Sequence, residues 1–173
     1  ARFLKPVTHL PGIMMAPGRT CSYIFQPKGV IGVISPWNYP FTLSASPVAS
    51  AIAAGNAVIL KPSSQTTRSG MIIKEIYTQG GLPQGVLQIL TGSGSMTGQA
   101  LIEHPGLDML FFTGSTEVGL EVSAQAAKRL IPVILELGGK DVAIVTRNAD
   151  LDRAANGVAW GACPNAGQPC LGT

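Results

Sequence analysis

The 173 residues carry 46% hydrophobic and only 12% charged side chains, a balance that excludes a disordered, charge-swollen chain and calls for one well-buried core. Twelve Lys and Arg against nine Asp and Glu give a net charge of +3, and the cations form no run beyond the pair Lys128-Arg129, which argues against nucleic acid as a partner. The longest apolar runs reach about ten residues before Gly, Pro or a polar residue interrupts them, so none spans a bilayer and no membrane is expected.

Residues 1–29 show no repeating pattern and read as an extended, Pro- and Gly-broken lead-in that lacks a signal-peptide core and an initiator Met, as though cut at its start. From Val30 onward, short β-branched runs alternate with helix-compatible stretches, the pattern of βαβ units. Val30 to Ile34 is the first predicted strand, closed by Ser35-Pro36-Trp37-Asn38. Phe41 to Ala54 follows as a helix that should kink or restart at Pro47. Ala57 to Leu60 is the second strand, ended by Lys61-Pro62-Ser63-Ser64, and Thr67 to Gln79 the second helix, stopped by Gly80-Gly81. A third unit joins Val86 to Leu90, a Gly/Ser loop and a short helix near Thr97 to Glu103. A fourth joins Met109 to Phe112, a Thr113-Gly114-Ser115 turn and a helix from Thr116 to Leu130, on which Val118, Val122, Ala126 and Leu130 make an i, i+4 stripe. Strands are predicted at Pro132 to Leu137 and at Val142 to Val145, around the turn Gly138-Gly139-Lys140. Asp150-Leu151-Asp152 opens a last helix with carboxylates at its positive end. Successive right-handed crossovers of this kind imply an α/β fold with a doubly wound parallel sheet, whose ligands lie at the carboxyl ends of the strands.

Those strand ends are polar, small and rich in exposed backbone, which suits an anionic ligand such as a nucleotide. Individually they are ambiguous. Gly92 to Gly98 has its third Gly one place late for a dinucleotide fingerprint, and Gly114 to Gly119 has phosphate-loop spacing without the Lys; both also read as ordinary turn glycines. Glu136 interrupts an apolar run, so it either faces solvent at a strand end or sits in a cavity with a raised pKa, poised as a base. The cysteines are Cys21, Cys163 and Cys170, an odd number with no Cys-x-x-Cys pair. They support neither a disulfide framework nor a metal site, and a reducing, cytoplasmic setting fits them best. Cys170 alone also reads as a small buried hydrophobe.

Taken together, Pro36-Trp37-Asn38-Tyr39-Pro40-Phe41, Ala53 to Val58, Lys61-Pro62-Ser63, Phe112 to Gly119, Leu135 to Lys140 and Asn165-x-Gly167-Gln168-x-Cys170 strongly resemble the aldehyde dehydrogenase superfamily, with the succinate-semialdehyde branch nearest. The motifs keep the family's order and spacing from about Pro27 to Cys170. Because family members are much longer, the resemblance implies a fragment: the lead-in, a Rossmann-like cofactor-binding domain over 30–137, and the truncated start of a catalytic domain over 138–173.

The resemblance further implies oxidation of a small aldehyde to a carboxylate with NAD or NADP, through a thiohemiacetal and a thioester on Cys170. Asn38 and the backbone N–H of Cys170 would hold the oxyanion, and Glu136, its pKa lifted by an apolar setting, would activate the hydrolytic water. Cofactor contacts are expected from Ile34, Ser35, Pro36 and Trp37, from Lys61, Pro62, Ser63 and Ser64, from Gly94, and from Gly114, Ser115, Val118 and Leu137. Lys61 would reach the adenosine ribose, Gly114-Ser115 the pyrophosphate, and Val118 the adenine. Ser64 stands where the family often has a glutamate that grips the ribose 2′-hydroxyl; losing that repulsion predicts that NADP is accepted. Two departures stand out, Cys163 at a position usually bulky and apolar, and Pro169 before the nucleophile. The family also implies a homo-oligomer. A relative that acylates coenzyme A is the enzymatic alternative, disfavoured by Glu136, and a non-catalytic nucleotide-binding module is the other.

Overall fold

The computed structural model describes residues 5–9 and 21–172, so part of the predicted lead-in and Thr173 lie outside the described residues. In the lead-in, β1 (Val7–His9) and β2 (Cys21–Tyr23) form a small antiparallel ladder pairing Val7 with Tyr23. The main sheet comprises β3 (Val30–Ile34), β4 (Ala57–Lys61), β5 (Leu87–Ile89), β6 (Met109–Gly114) and β7 (Val133–Leu137). Its order is β5-β4-β3-β6-β7, and every pairing is parallel. The crossovers are α1 (Thr42–Ala53), α2 (Thr67–Gln79), α3 (Gln99–Glu103) and α4 (Thr116–Ala127), and α5 (Leu151–Ala162) follows the sheet.

Strand alternation sends side chains to opposite faces, and each face has its own core. Ile31, Val33, Val58 and Leu60 pack with Val48 and Ala51 of α1 and Ile73 of α2. Ile34, Leu110 and Phe112 pack with Leu101 and Ile102 of α3 and Val122 of α4. The doubly wound sheet is therefore as predicted. After β5 the chain crosses back to lay β6 on the other side of β3, so the order reverses between these two central strands, the place where such sheets bind ligands. Gly32 leaves room on β3 for the side chains of β6 and the loop before it: a Cβ there would lie 2.9 Å from Leu110 Cδ1 and 3.0 Å from Leu107 Cδ1.

Four expectations need correction. Pro47 sits inside α1, which runs as one helix without restarting. Its ring lies in the second turn, where tertiary packing of Val48 and Ala51 outweighs the single lost hydrogen bond. The Thr113-Gly114 turn is still strand, since both residues pair with β7. α4 ends at Ala127, and Leu130 is 90% exposed with φ +56°, so the predicted stripe is buried only at Val122 and Ala126. Pro132 forces this early stop, because the residues before it must leave the helical region and turn into β7. Val142 to Val145 form no strand; Val142 and Ile144 are exposed, and no neighbouring backbone is available to pair with them among the described residues. No helix among the described residues is long and apolar enough to cross a membrane.

Candidate active site

The loop after β3 and the loop after α5 meet. Asn38 Nδ2 donates to the carbonyl of Gln168 at 2.7 Å, and Asn165 Nδ2 returns a bond to the carbonyl of Asn38 at 2.8 Å. The Asn38 side-chain oxygen accepts from Tyr39 N at 3.0 Å, which fixes the orientation of the amide and leaves its second N–H uncommitted. Cys170 is half-buried, a free thiol two residues beyond Gln168. Tyr39, Thr42 and Leu43 face it across a cavity of about 490 Å³, with Trp160, Pro164 and Leu171 on the other wall. The loop that carries Cys170 is bent sharply to get there. Asn165, Ala166 and Gly167 all have left-handed φ, at +50°, +58° and +76°. Asn and Gly tolerate that region; Ala166 does not without cost, a strain of the kind found where a loop must aim a functional group.

Glu136 corrects a prediction. It lies on β7, the edge strand, where Leu135 and Leu137 point into the core and Glu136 points out, exposed. The apolar enclosure expected around it is absent among the described residues, because strand alternation puts the carboxylate on the face that α4 does not cover. The hydrogen bonds join Asn38 to the Cys170 loop, and none of them reaches Glu136.

A second cleft, about 610 Å³, opens where the strand order reverses. Ile34 and Phe112 form its floor, Gly94, Gly98 and Ile102 one wall, and Val118, Glu121, Val122 and Gln125 the other. The Gly/Ser loop enters it as a π-helical turn, Gly94–Gly98, capped by Ser93 accepting from Met96 N at 3.2 Å. Ser115 caps α4 by accepting from Val118 N at 3.3 Å, which leaves the N–H groups of Thr116 and Glu117 in the first turn without a helical acceptor and open to an anion. Behind the turn, Lys61 is only 3% exposed. Its Nζ donates to the carbonyl of Pro62 at 3.2 Å, and its stem lies under Gly98, where a Cβ would stand 3.7 Å from Lys61 Cδ. Burial pushes the Lys61 pKa down. A buried cation beside a cleft with open helical N–H groups suits a phosphate- and ribose-bearing ligand, so the residues present fit a dinucleotide.

Of the other predicted contacts, Ser35 is buried and shares a hydroxyl pair with Ser44 at 2.6 Å, which ties the β3 end to α1. Trp37, Ser64 and Ser115 are exposed, Pro62 is buried and Pro36, Ser63, Gly114 and Leu137 are half-buried. Ser63 caps the turn Ser64–Thr66 through Gln65 N at 3.3 Å. Leu137 meets the α4 backbone: a Cβ at Gly119 would lie 2.5 Å from Leu137 Cδ2. The sequence reading gave no role to Gly98, Tyr39, Trp160 or Asn165. Tyr39 and Asn165 lie inside the quoted motifs, while Trp160, 79% exposed on α5, carries no sequence signal beyond its size.

The sequence pattern of the aldehyde dehydrogenase family matches residues 3–173. A 3,6-anhydro-alpha-L-galactose dehydrogenase from Streptomyces coelicolor is 46% identical over 92% of this chain and 33% of its own length. A relative from Mycobacterium ulcerans, provisionally named succinate-semialdehyde dehydrogenase (NADP(+)) 2, is 45% identical over 99% of this chain and 32% of its own. Among solved structures, the NAD-dependent aldehyde dehydrogenase of Sinorhizobium meliloti superposes with a TM-score of 0.92 at 42% identity, over 99% of this chain and 34% of that one. An aldehyde dehydrogenase of Mycobacterium tuberculosis complexed with NAD+ gives 0.82 at 41% identity, over 85% and 30%. The chain thus spans about a third of the length of the relatives it matches.

Proposed function

The chain belongs to the aldehyde dehydrogenase family, and on that premise we propose that it supplies the cofactor cleft and the nucleophile of an enzyme that oxidises an aldehyde to a carboxylate with NAD or NADP. The observation that carries the proposal is the 2.7 Å bond from the Asn38 amide to Gln168, which brings an oriented donor to the loop of the half-buried Cys170 thiol.

In this reading Cys170, as thiolate, forms a bond to the aldehyde carbon, and the carbonyl oxygen becomes an oxyanion. The free N–H of Asn38 and the backbone N–H of Cys170 stabilise that charge; Pro169 lacks an N–H of its own but leaves that of Cys170 intact. NAD(P), held over Lys61 and between α3 and α4, would supply the hydride acceptor for oxidation of the thiohemiacetal on Cys170 to a thioester. Glu136 then takes a proton from water, the water oxygen bonds the acyl carbon, and the Cys170 sulfur leaves as thiolate.

Residues 30–137 would bind the cofactor and 138–173 would open the catalytic domain. The fit of Lys61 beneath the cleft supports an adenosine ribose there, and the exposed Ser64 supports acceptance of a 2′-phosphate. The NADP in the name of the Mycobacterium ulcerans relative agrees with that reading, and both relatives' names are consistent with a small aldehyde as substrate. The free thiols support a cytoplasmic setting, and the apolar residues exposed on α5 support burial against further chain and assembly as a homo-oligomer.

The test is NAD(P)H formation by the full-length enzyme across an aldehyde panel that includes succinate semialdehyde. Cys170→Ala should abolish turnover, and Glu136→Gln should stall after the first equivalent of NAD(P)H. Preserved turnover in Cys170→Ala would overturn the mechanism, and acyl-coenzyme A as the product would replace the hydrolytic step.

A further inference from the structure

Arg129 follows α4 and makes the densest set of long-range side-chain bonds among the described residues. Its guanidinium donates to three carbonyls of the chain that ends α3 and leads to β6: Ile102 at 2.9 Å, Pro105 at 3.2 Å and Leu107 at 3.1 Å. The Ile102 carbonyl is an orphan acceptor of the α3 terminus and the other two belong to the loop that follows, and a planar fork with several fixed donors can satisfy all three at once.

What this fastening does follows from where α3 and α4 stand. They are the opposite walls of the 610 Å³ cleft, with Gly98 and Ile102 on one side and Val118, Val122 and Gln125 on the other. α3 has only five residues and is too short to hold its own shape or position. At its N-terminal end it continues the π-helical turn that covers Lys61. At its C-terminal end Leu101 and Ile102 pack into the core and Arg129 fastens the carbonyl side, so Ile102 is at once a wall residue and a partner of the guanidinium.

We infer that Arg129 is a positioning residue that sets the width of the α3–α4 cleft and thereby its affinity for the nucleotide half of the cofactor. It touches neither the ligand nor the reacting atoms. It lies at the far end of α4 from the Ser115 cap, about 18 Å along a helix of twelve residues. The inference rests on the cleft being the cofactor site.

The test uses the full-length enzyme with Arg129→Ala and Arg129→Lys. Arg129→Ala should raise KM and Kd for NAD(P) about tenfold and the inhibition constant of AMP in step. It should leave kcat, the aldehyde KM and inhibition by nicotinamide mononucleotide within about twofold, and Arg129→Lys, a point charge that cannot span three carbonyls, should fall between. A merely structural residue would lower the amount of folded enzyme, and with it kcat per total protein, without this split. If Arg129→Ala does not fold, Arg129→Lys alone decides. Cofactor KM and Kd within twofold of wild type, or a fall in kcat at unchanged cofactor KM, would overturn the role of Arg129. A wild-type enzyme that binds AMP nowhere near α3 and α4, seen as no protection of these helices in hydrogen exchange, would instead remove the cleft assignment on which the role stands.

Discussion

Replacing Lys61 by Met isolates a conflict between stability and binding. The side chains have similar length and flexibility, so Met should occupy the same channel under Gly98. In wild type an ammonium that is 3% exposed has one carbonyl, that of Pro62 at 3.2 Å, for three donors. Exchanging a poorly matched buried charge for a methylene and a thioether should stabilise the ligand-free protein by about 1–2 kcal/mol. The pH dependence fixes the sign. Burial lowers the folded-state pKa, so between that lowered value and the unfolded value of 10.5 the unfolded chain binds more protons. Wild-type stability should therefore rise with pH through that window from its penalised level below it, and the advantage of Lys61→Met should shrink to nothing as 10.5 is approached. Affinity for the anionic cofactor should move oppositely, with Kd weakened about 10- to 100-fold by loss of a charge-assisted bond. Urea unfolding from pH 7 to 10, with and without NAD(P), measures both. A ligand-free Lys61→Met that is less stable than wild type at pH 7, or an advantage that does not change with pH, would refute the reasoning.

Other consequences can be checked singly. Asn38→Asp keeps the shape but removes the donor and sets a carboxylate against the Gln168 carbonyl; kcat should fall about 10²- to 10³-fold in steady-state assays, and a loss under tenfold would exclude Asn38 from the oxyanion site. Gly119→Ala would drive a Cβ to 2.5 Å from Leu137 Cδ2 and should cost about 1–3 kcal/mol in urea unfolding, with α4 displaced from β7. Ala166→Gly relieves a left-handed alanine at φ +58° and should raise stability by about 0.5–1 kcal/mol, or leave it unchanged if the neighbouring Asn165 absorbs the strain. A clear loss of stability would mean that the loop does not hold this conformation.

The central strands were legible because Val30 to Ile34 and Ala57 to Leu60 are β-branched runs closed by Pro or Gly, and a strand covered on both faces needs little more than that. Val142 to Val145 carries the same local signal and fails, since strand propensity is realised only against a partner backbone. At Glu136 the sequence leaves a solvent-facing and an enclosed reading open for a related reason: an apolar run marks a buried strand on average, but at a sheet edge alternation decides residue by residue. The motifs around Asn38, Lys61 and Cys170 could be found because their residues are contiguous. The pairing of Asn38 with Gln168, or of Arg129 with Ile102, joins positions 130 and 27 apart, and no local pattern encodes such distances.

The reciprocal bonds between Asn38 and the residues at 165 and 168 close chain segments of 127 and 130 residues. Closure over that span has a large entropic cost that nothing local offsets, so these bonds form only after every strand between them has docked. The Asn38 amide therefore reaches the Cys170 loop last. Until then nothing holds the left-handed bend at 165–167 against the end of β3, so the surroundings of the Cys170 thiol are a product of the whole sheet's assembly.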